Sequence, residues 1–271
     1  MSGPDRYAGR DRDLLPLTAA VTAEVVSLVL MYLAARNGWL GADVGRGDGF
    51  CEAARAGLVR QPSNALSNLG FVVAGIAVGW CAGLPAGRLA RPGLATAYAV
   101  VVVLLGPGSM AMHATQTELG GRLDQLSMYL ISCFALAYAV VRATRRSTWF
   151  FLGLFAALLV VCETVEQMHV DLPVVDNSGN LVFAAGLVAT IAIEVRLRRR
   201  GDRSLDVRWV VGAVGVIGVA FVIWNLSKDG NALCHPRSLL QGHAAWHLLC
   251  AVSAWCLYRY WSSDARVTGS P

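Results

Sequence analysis

Apolar runs of about twenty residues recur along the chain, broken by short polar stretches, and each run is long enough to cross a hydrocarbon core of about 30 Å as a helix. They fall at roughly 14–35, 63–82, 93–113, 123–141, 148–165, 179–195, 209–226 and 239–260, which predicts eight transmembrane helices. Glycine and proline mark the connections: "GLPAGRLARPG" between the second and third runs, Gly120-Gly121 between the third and fourth, and "DLPVVDNSGN" before the sixth. The paired glycines predict a tight turn that makes spans three and four an antiparallel hairpin. The longest connection, about residues 36–62, leaves no room for a soluble domain, and no internal repeat or low-complexity tract is present. One all-α membrane bundle follows.

Composition agrees with the pattern. Hydrophobic residues make up 55% of the 271 and charged ones 15%, with mean hydropathy +0.51; soluble domains carry about 25% charged residues. The first span follows the charged segment "MSGPDRYAGRDRD" and lacks a small-residue cleavage site, so it reads as a retained helix rather than a secretion signal. The net charge of +5 forms no basic helical stripe, which argues against a nucleic-acid partner. It reports orientation instead. Of the 23 Lys and Arg, 16 fall in the N-terminal tail, the even-numbered connections near 83–92, 142–147 and 196–208, and the C-terminal tail. The positive-inside rule then puts both termini in the cytoplasm.

Of seven cysteines, Cys81, Cys133, Cys162, Cys250 and Cys256 lie in or near apolar spans and read as small core residues. Cys51 and Cys234 fall in loops on the opposite, non-cytoplasmic face. There an oxidising compartment permits a disulfide between them, with two free thiols as the alternative.

The ionisable residues inside this apolar chain carry its chemistry. All five histidines, His113, His169, His235, His243 and His247, map to the non-cytoplasmic half. His243 and His247 in "QGHAAWHLL" are four apart and stack on one helical face. Two such imidazoles suit a metal, or equally two hydrogen bonds to carbonyls. With His113 from span three they make three nitrogen ligands and leave a fourth tetrahedral position for water, the pattern of a catalytic zinc. Asp124, just beyond the Gly-Gly pair, is a candidate proton acceptor; its other readings are a helix start or a partner orienting a histidine. Ser109 shares the His113 face and is either an oxyanion donor or a serine bonded to its own helix.

Elsewhere, "QPSNALSNLGF" places Asn64, Ser67 and Asn68 at the start of span two, as interhelical glue or cavity lining, with Ser63 as a candidate helix cap. Glu24 sits mid-span without an evident partner. The run "CETVEQMHVD", with Glu163, Glu166, His169 and Asp171, reads as a solvated loop rather than a cation site.

Three blocks, "FCEAARAGLVRQPSNALSNLGFV", "GPGSMAMHATQTELGGRLDQLSMY" and "LLQGHAAWHLL", resemble the alkaline ceramidase family of integral-membrane metal-dependent hydrolases, a superfamily that includes adiponectin-receptor-type proteins and GPI-remodelling lipid hydrolases. The resemblance implies a seven-helix core at residues 37–262, preceded by an N-terminal tail with an extra helix at 1–36 and followed by a short tail at 263–271. It implies zinc held by His113, His243 and His247, with Ser109 at the oxyanion and Asp124 handling the proton. The family's calcium site is incomplete here: Glu52 is the one ligand carried across, Asp48 is displaced, and Gln61 stands where an acidic residue is expected. The family's cross-loop disulfide supports pairing of Cys51 with Cys234.

The function expected is a zinc-dependent amidase of the inner plasma membrane that cleaves the N-acyl bond of ceramide-like lipids taken from the bilayer, with its site toward the non-cytoplasmic face. Hydrolysis of other lipid amides or esters is the nearest alternative. A receptor with a structural zinc site is a third, from a different class.

Overall fold

The computed structural model describes residues 12–91, 93–168 and 178–264. Among them the chain is helical throughout: α1 (Leu15–Arg36), α2 (Pro62–Ser67), α3 (Leu69–Ala82), α4 (Leu94–Thr115), α5 (Glu118–Thr144), α6 (Thr148–Gln167), α7 (Ser178–Arg199), α8 (Val207–Leu226) and α9 (Gly242–Ser262). With α2 and α3 forming one pass over Pro62–Ala82, seven passes among the described residues are long and apolar enough to cross a membrane. The eighth long helix, α9, falls short on hydropathy because it carries His243, His247, Ser253 and Arg259, yet it packs against α8, α3, α2 and α4. The protein is thus an all-α multi-pass membrane protein with an added N-terminal helix, α1, lying against α3 and α4.

Apolar side chains with no competing polar groups favour helix in lipid, where every backbone amide needs an internal partner. The ends are capped locally: Thr117 Oγ1 accepts from Gly120 N at 3.0 Å, Ser147 Oγ from Phe150 N at 3.3 Å, and Asp206 Oδ1 from Arg208 N at 3.1 Å. The second pass is broken rather than continuous. Ser67 Oγ and Asn68 Nδ2 both donate to Asn64 O, at 2.8 and 2.9 Å, and Asn68 N turns to Ala65 O. Side chains here compete with the backbone for its own acceptor and end α2 after two turns.

The hairpin of α4 and α5 is present, but its turn is not the glycine pair. Gln116, in the left-handed region at φ 52°, ends α4, and Gly120 and Gly121 lie inside α5. The glycines serve close packing instead: a Cβ on Gly120 would meet Ala111 O at 2.8 Å, and one on Gly108 would meet Leu123 O at 3.1 Å. Small residues at such crossings let membrane helices approach backbone to backbone. Asp124 consequently sits in the second turn of α5, not at its start.

α4 is the central helix, buried along most of its length, while α1, α6, α7 and α8 show most of their surface outward. The core is aromatic toward one end: Tyr98, Phe134, Tyr138, Phe151, Tyr258 and Trp261 are all buried. The loops richest in arginine gather at that end, where Asp13 N donates to Gly83 O at 3.1 Å and Tyr258 Oη to Gly87 O at 2.8 Å. Arg142, read from sequence as a loop charge, is instead buried there in a cluster that ties α5, α7 and α9 together. It pairs with Glu194 at 2.9 Å, approaches Asp202 at 3.7 Å and Asp264 at 3.9 Å, and Glu194 also accepts from Tyr260 Oη at 2.8 Å.

Candidate metal centre

The opposite end is built from the connections at 37–61, 116–117 and 227–241, stitched to one another and to α4. Cys51 and Cys234 form a disulfide across 183 residues of sequence, with Cα atoms 5.6 Å apart. Loops closed this far apart gain most from a cross-link, and loss of such a bond costs about 2–5 kcal/mol in small secreted domains. Beside it Ala53 N donates to Pro236 O at 2.9 Å and Asp229 N to Gly49 O at 3.0 Å. Five cysteines are free, the five read as core residues.

Residues 43–46 run alongside the α4–α5 turn. Val44 N and Arg46 N both donate to Gln116 O at 3.0 Å, and Arg46 grips Glu118 with two hydrogen bonds, at 2.8 and 2.9 Å. Asp43 accepts from Gly45 N at 2.9 Å and from Arg60; that amide first, and then the guanidinium, hold its carboxyl below the ordinary range. The last carbonyls of α4 would be orphans at a helix end. They are taken up here: Gln61 N donates to His113 O at 2.9 Å and Arg60 N to Ala114 O at 3.0 Å.

This frame holds three imidazoles together. His113 from α4 and His243 and His247 from the first two turns of α9 are all buried, and one nitrogen from each lies within 4.8 Å of the others. No other group of three His, Cys, Asp or Glu with this convergence occurs among the described residues. The Nε2 atoms of His113 and His243 are 3.2 Å apart, close to the roughly 3.3 Å edge of a tetrahedral zinc site with 2.0–2.1 Å bonds.

The outer nitrogens explain which atoms face inward. Ser67 Oγ gives its hydrogen to Asn64 O, so it accepts from His247 Nδ1 at 2.8 Å. Gln61 Oε1 accepts from His113 Nδ1 at 2.7 Å. Both rings therefore carry their proton on Nδ1 and turn a lone pair on Nε2 toward the shared centre, the arrangement metal-binding histidines adopt. Two lone pairs aimed at one buried point, with a third imidazole beside them, suit a cation of the nitrogen-binding type, zinc foremost. His243 Nδ1 has no partner; its ring is fixed by Phe50, stacked 4.0 Å away at 7°.

Ser109 and Asp124 take their places across the α4–α5 crossing set by Gly108 and Gly120. Ser109 lies one turn before His113 on α4, buried, with an Oγ that makes no hydrogen bond of ordinary geometry. The Asp124 carboxyl stands next to that hydroxyl and is half-buried. It makes no hydrogen bond to any of the three histidines.

Glu52 is occupied otherwise than as an open ligand. Its buried carboxylate accepts from Ser63 N at 2.9 Å and Asn64 N at 2.8 Å, so it caps α2, and Ser63 is not the cap. Asn64 and Asn68 are buried with side-chain atoms lacking partners, as are both carboxylate oxygens of Glu24 in α1. Glu163 and Glu166 lie in α6 rather than in a loop, and Glu166 accepts from Tyr129 Oη at 2.7 Å. His169 and Asp171 fall outside the described residues.

The three histidines are legible in the sequence, whereas Phe50, the role of Gln61 and the bond from His247 Nδ1 to Ser67 Oγ are not. Their only local signal is position beside named residues, Phe50 before the "CE" pair and Gln61 before Pro62.

The bundle and its centre define a membrane-embedded protein with a buried three-histidine site that could hold a metal ion. The model of the ceramidase family matches residues 50–265, and the chain belongs to that family. The match begins within the loop after α1, so this helix precedes the shared core. No curated protein matches the chain. Family membership places it among ceramide-hydrolysing membrane enzymes.

Proposed function

We propose that this protein is a zinc-dependent amidase that releases the fatty acid from ceramide-like lipids drawn from the bilayer. The observation that carries the reading is the convergence of His113, His243 and His247 with two Nδ1 atoms already engaged, which leaves imidazole lone pairs for zinc and an exchangeable fourth position.

Zinc bound there would supply a water with pKa near 7 and a Lewis acid for the amide carbonyl. The chain's own residues do the rest. Asp124 takes the proton from the attacking water on its carboxylate and returns it to the departing nitrogen of the sphingoid base. Ser109 Oγ, beside the Asp124 carboxyl, donates to the oxygen of the acyl group as it becomes negative. Gln61 and Ser67 hold the rings of His113 and His247 in the tautomer that binds. Calcium has no place in this scheme, since Glu52 is bonded to backbone amides.

By the arginine distribution the site faces the non-cytoplasmic side of the inner membrane, with both termini in the cytoplasm. Cys51 and Cys234, paired in its loops, fit an oxidising compartment there.

The test is a panel of N-acyl sphingoid bases, other N-acyl lipids and acyl esters presented in detergent to the purified protein, with released fatty acid measured by mass spectrometry. Release from the N-acyl sphingoid bases in preference to the others is expected. Turnover of esters with none of amides would contradict the amidase reading.

A further inference from the structure

We propose that Gln61 is the positioning residue of the metal centre, and that its amide does the work of a cation, so the centre assembles without calcium. The inference rests on the reading of the three histidines as a zinc site.

The orientation of the amide is fixed by its surroundings. Gln61 Nε2 donates to Gly47 O at 3.0 Å and to Glu52 O at 2.9 Å, using both of its hydrogens. A flipped amide would press an oxygen against two carbonyl oxygens. Oε1 therefore faces His113, and the only partner it can take from Nδ1, 2.7 Å away, is a hydrogen. The residue is fully buried, and its own backbone N is bonded to His113 O. One residue thus clasps His113 by main chain and side chain together.

The loop leaves this amide just enough room. Gly47 has φ +91°, and a Cβ there would come within 3.3 Å of Gln61 Oε1 and 3.8 Å of His113 Nδ1. The oxygens around it already have partners. Glu52 accepts two amides of α2, Asp48 accepts from Gln116 Nε2, and the carbonyls of residues 47 and 52 accept from Gln61. Calcium requires six to eight oxygens, several of them carboxylate. Here an NH2 group stands between the two carbonyls that would face such an ion.

The test compares wild type, Gln61→Ala and Gln61→Glu by zinc affinity, measured by competition with a chromogenic zinc chelator, and by thermal midpoint, each with and without added calcium chloride. Wild type should be indifferent to calcium in both readouts. Gln61→Ala should bind zinc about 10- to 100-fold more weakly, the range for loss of a partner that orients a ligand, again without response to calcium. Glutamate has no hydrogen for the two carbonyls and adds a charge among them. Gln61→Glu should therefore bind zinc weakly alone and regain affinity and midpoint when calcium is added.

A wild-type affinity that rises with calcium, a Gln61→Ala protein with unchanged zinc affinity, or a Gln61→Glu protein indifferent to calcium would each overturn the proposal. Should Gln61→Ala fail to fold, the other two proteins decide it. Wild type binding no zinc at all would instead sink the zinc-centre reading on which the inference stands.

Discussion

Replacing Asp124 by asparagine is expected to lower fatty-acid release by about 10²- to 10⁴-fold, the usual worth of a positioned acid–base group, while zinc stays bound at full stoichiometry. Asparagine has the same shape and can still lie beside Ser109, but it cannot take a proton from water at neutral pH. The three histidines converge without any hydrogen bond from Asp124, so their convergence does not depend on it. Steady-state release and metal content measured on the same preparation check this. Lost zinc would make Asp124 a structural partner, and unchanged activity with unchanged zinc would remove it from the reaction.

His243→Ala should have the larger effect on the metal itself. Removing one of three nitrogens leaves two ligands and an open wall where Phe50 now stacks. Zinc affinity should fall by more than about a hundredfold, beyond the range for loss of an orienting partner, and activity should go with it. The fold should survive, because α9 is held through α8 and α3 and the loops by the Cys51–Cys234 bond. Helical circular dichroism together with zinc content separates these outcomes. A protein that keeps its zinc without His243 would place the metal elsewhere.

Much of this arrangement was legible in the chain. Apolar runs locate helices well because lipid leaves few alternatives to them, and His243 and His247, four apart, could only share a face. His113 joins them through a fold that sequence does not spell out; its common depth in the membrane points to it, and the resemblance carried by three short blocks implies the same residue. The failures are local and physical. Gly120-Gly121 reads as a turn, but Gln116 and Thr117 make the turn and the glycines serve helix contact, a distinction set by the neighbouring helix and not by the pair. Arg142 reads as a loop charge because its acidic partners, Glu194, Asp202 and Asp264, lie 52 or more residues away in sequence. Glu52 carries a second, structural role that the sequence does not show, because the two backbone amides of α2 that its carboxylate accepts leave no mark in sequence.

The proposal stands or falls on whether the three-histidine centre is a working zinc site. Its most direct measurement is the rate of fatty-acid release from an N-acyl sphingoid base by metal-stripped protein as zinc is added back. No release is expected from the stripped protein, and the rate should rise in proportion to bound zinc, reaching its plateau at one zinc per chain. Full activity in the stripped protein, or one tightly bound zinc per chain with no hydrolysis of any lipid, would contradict it.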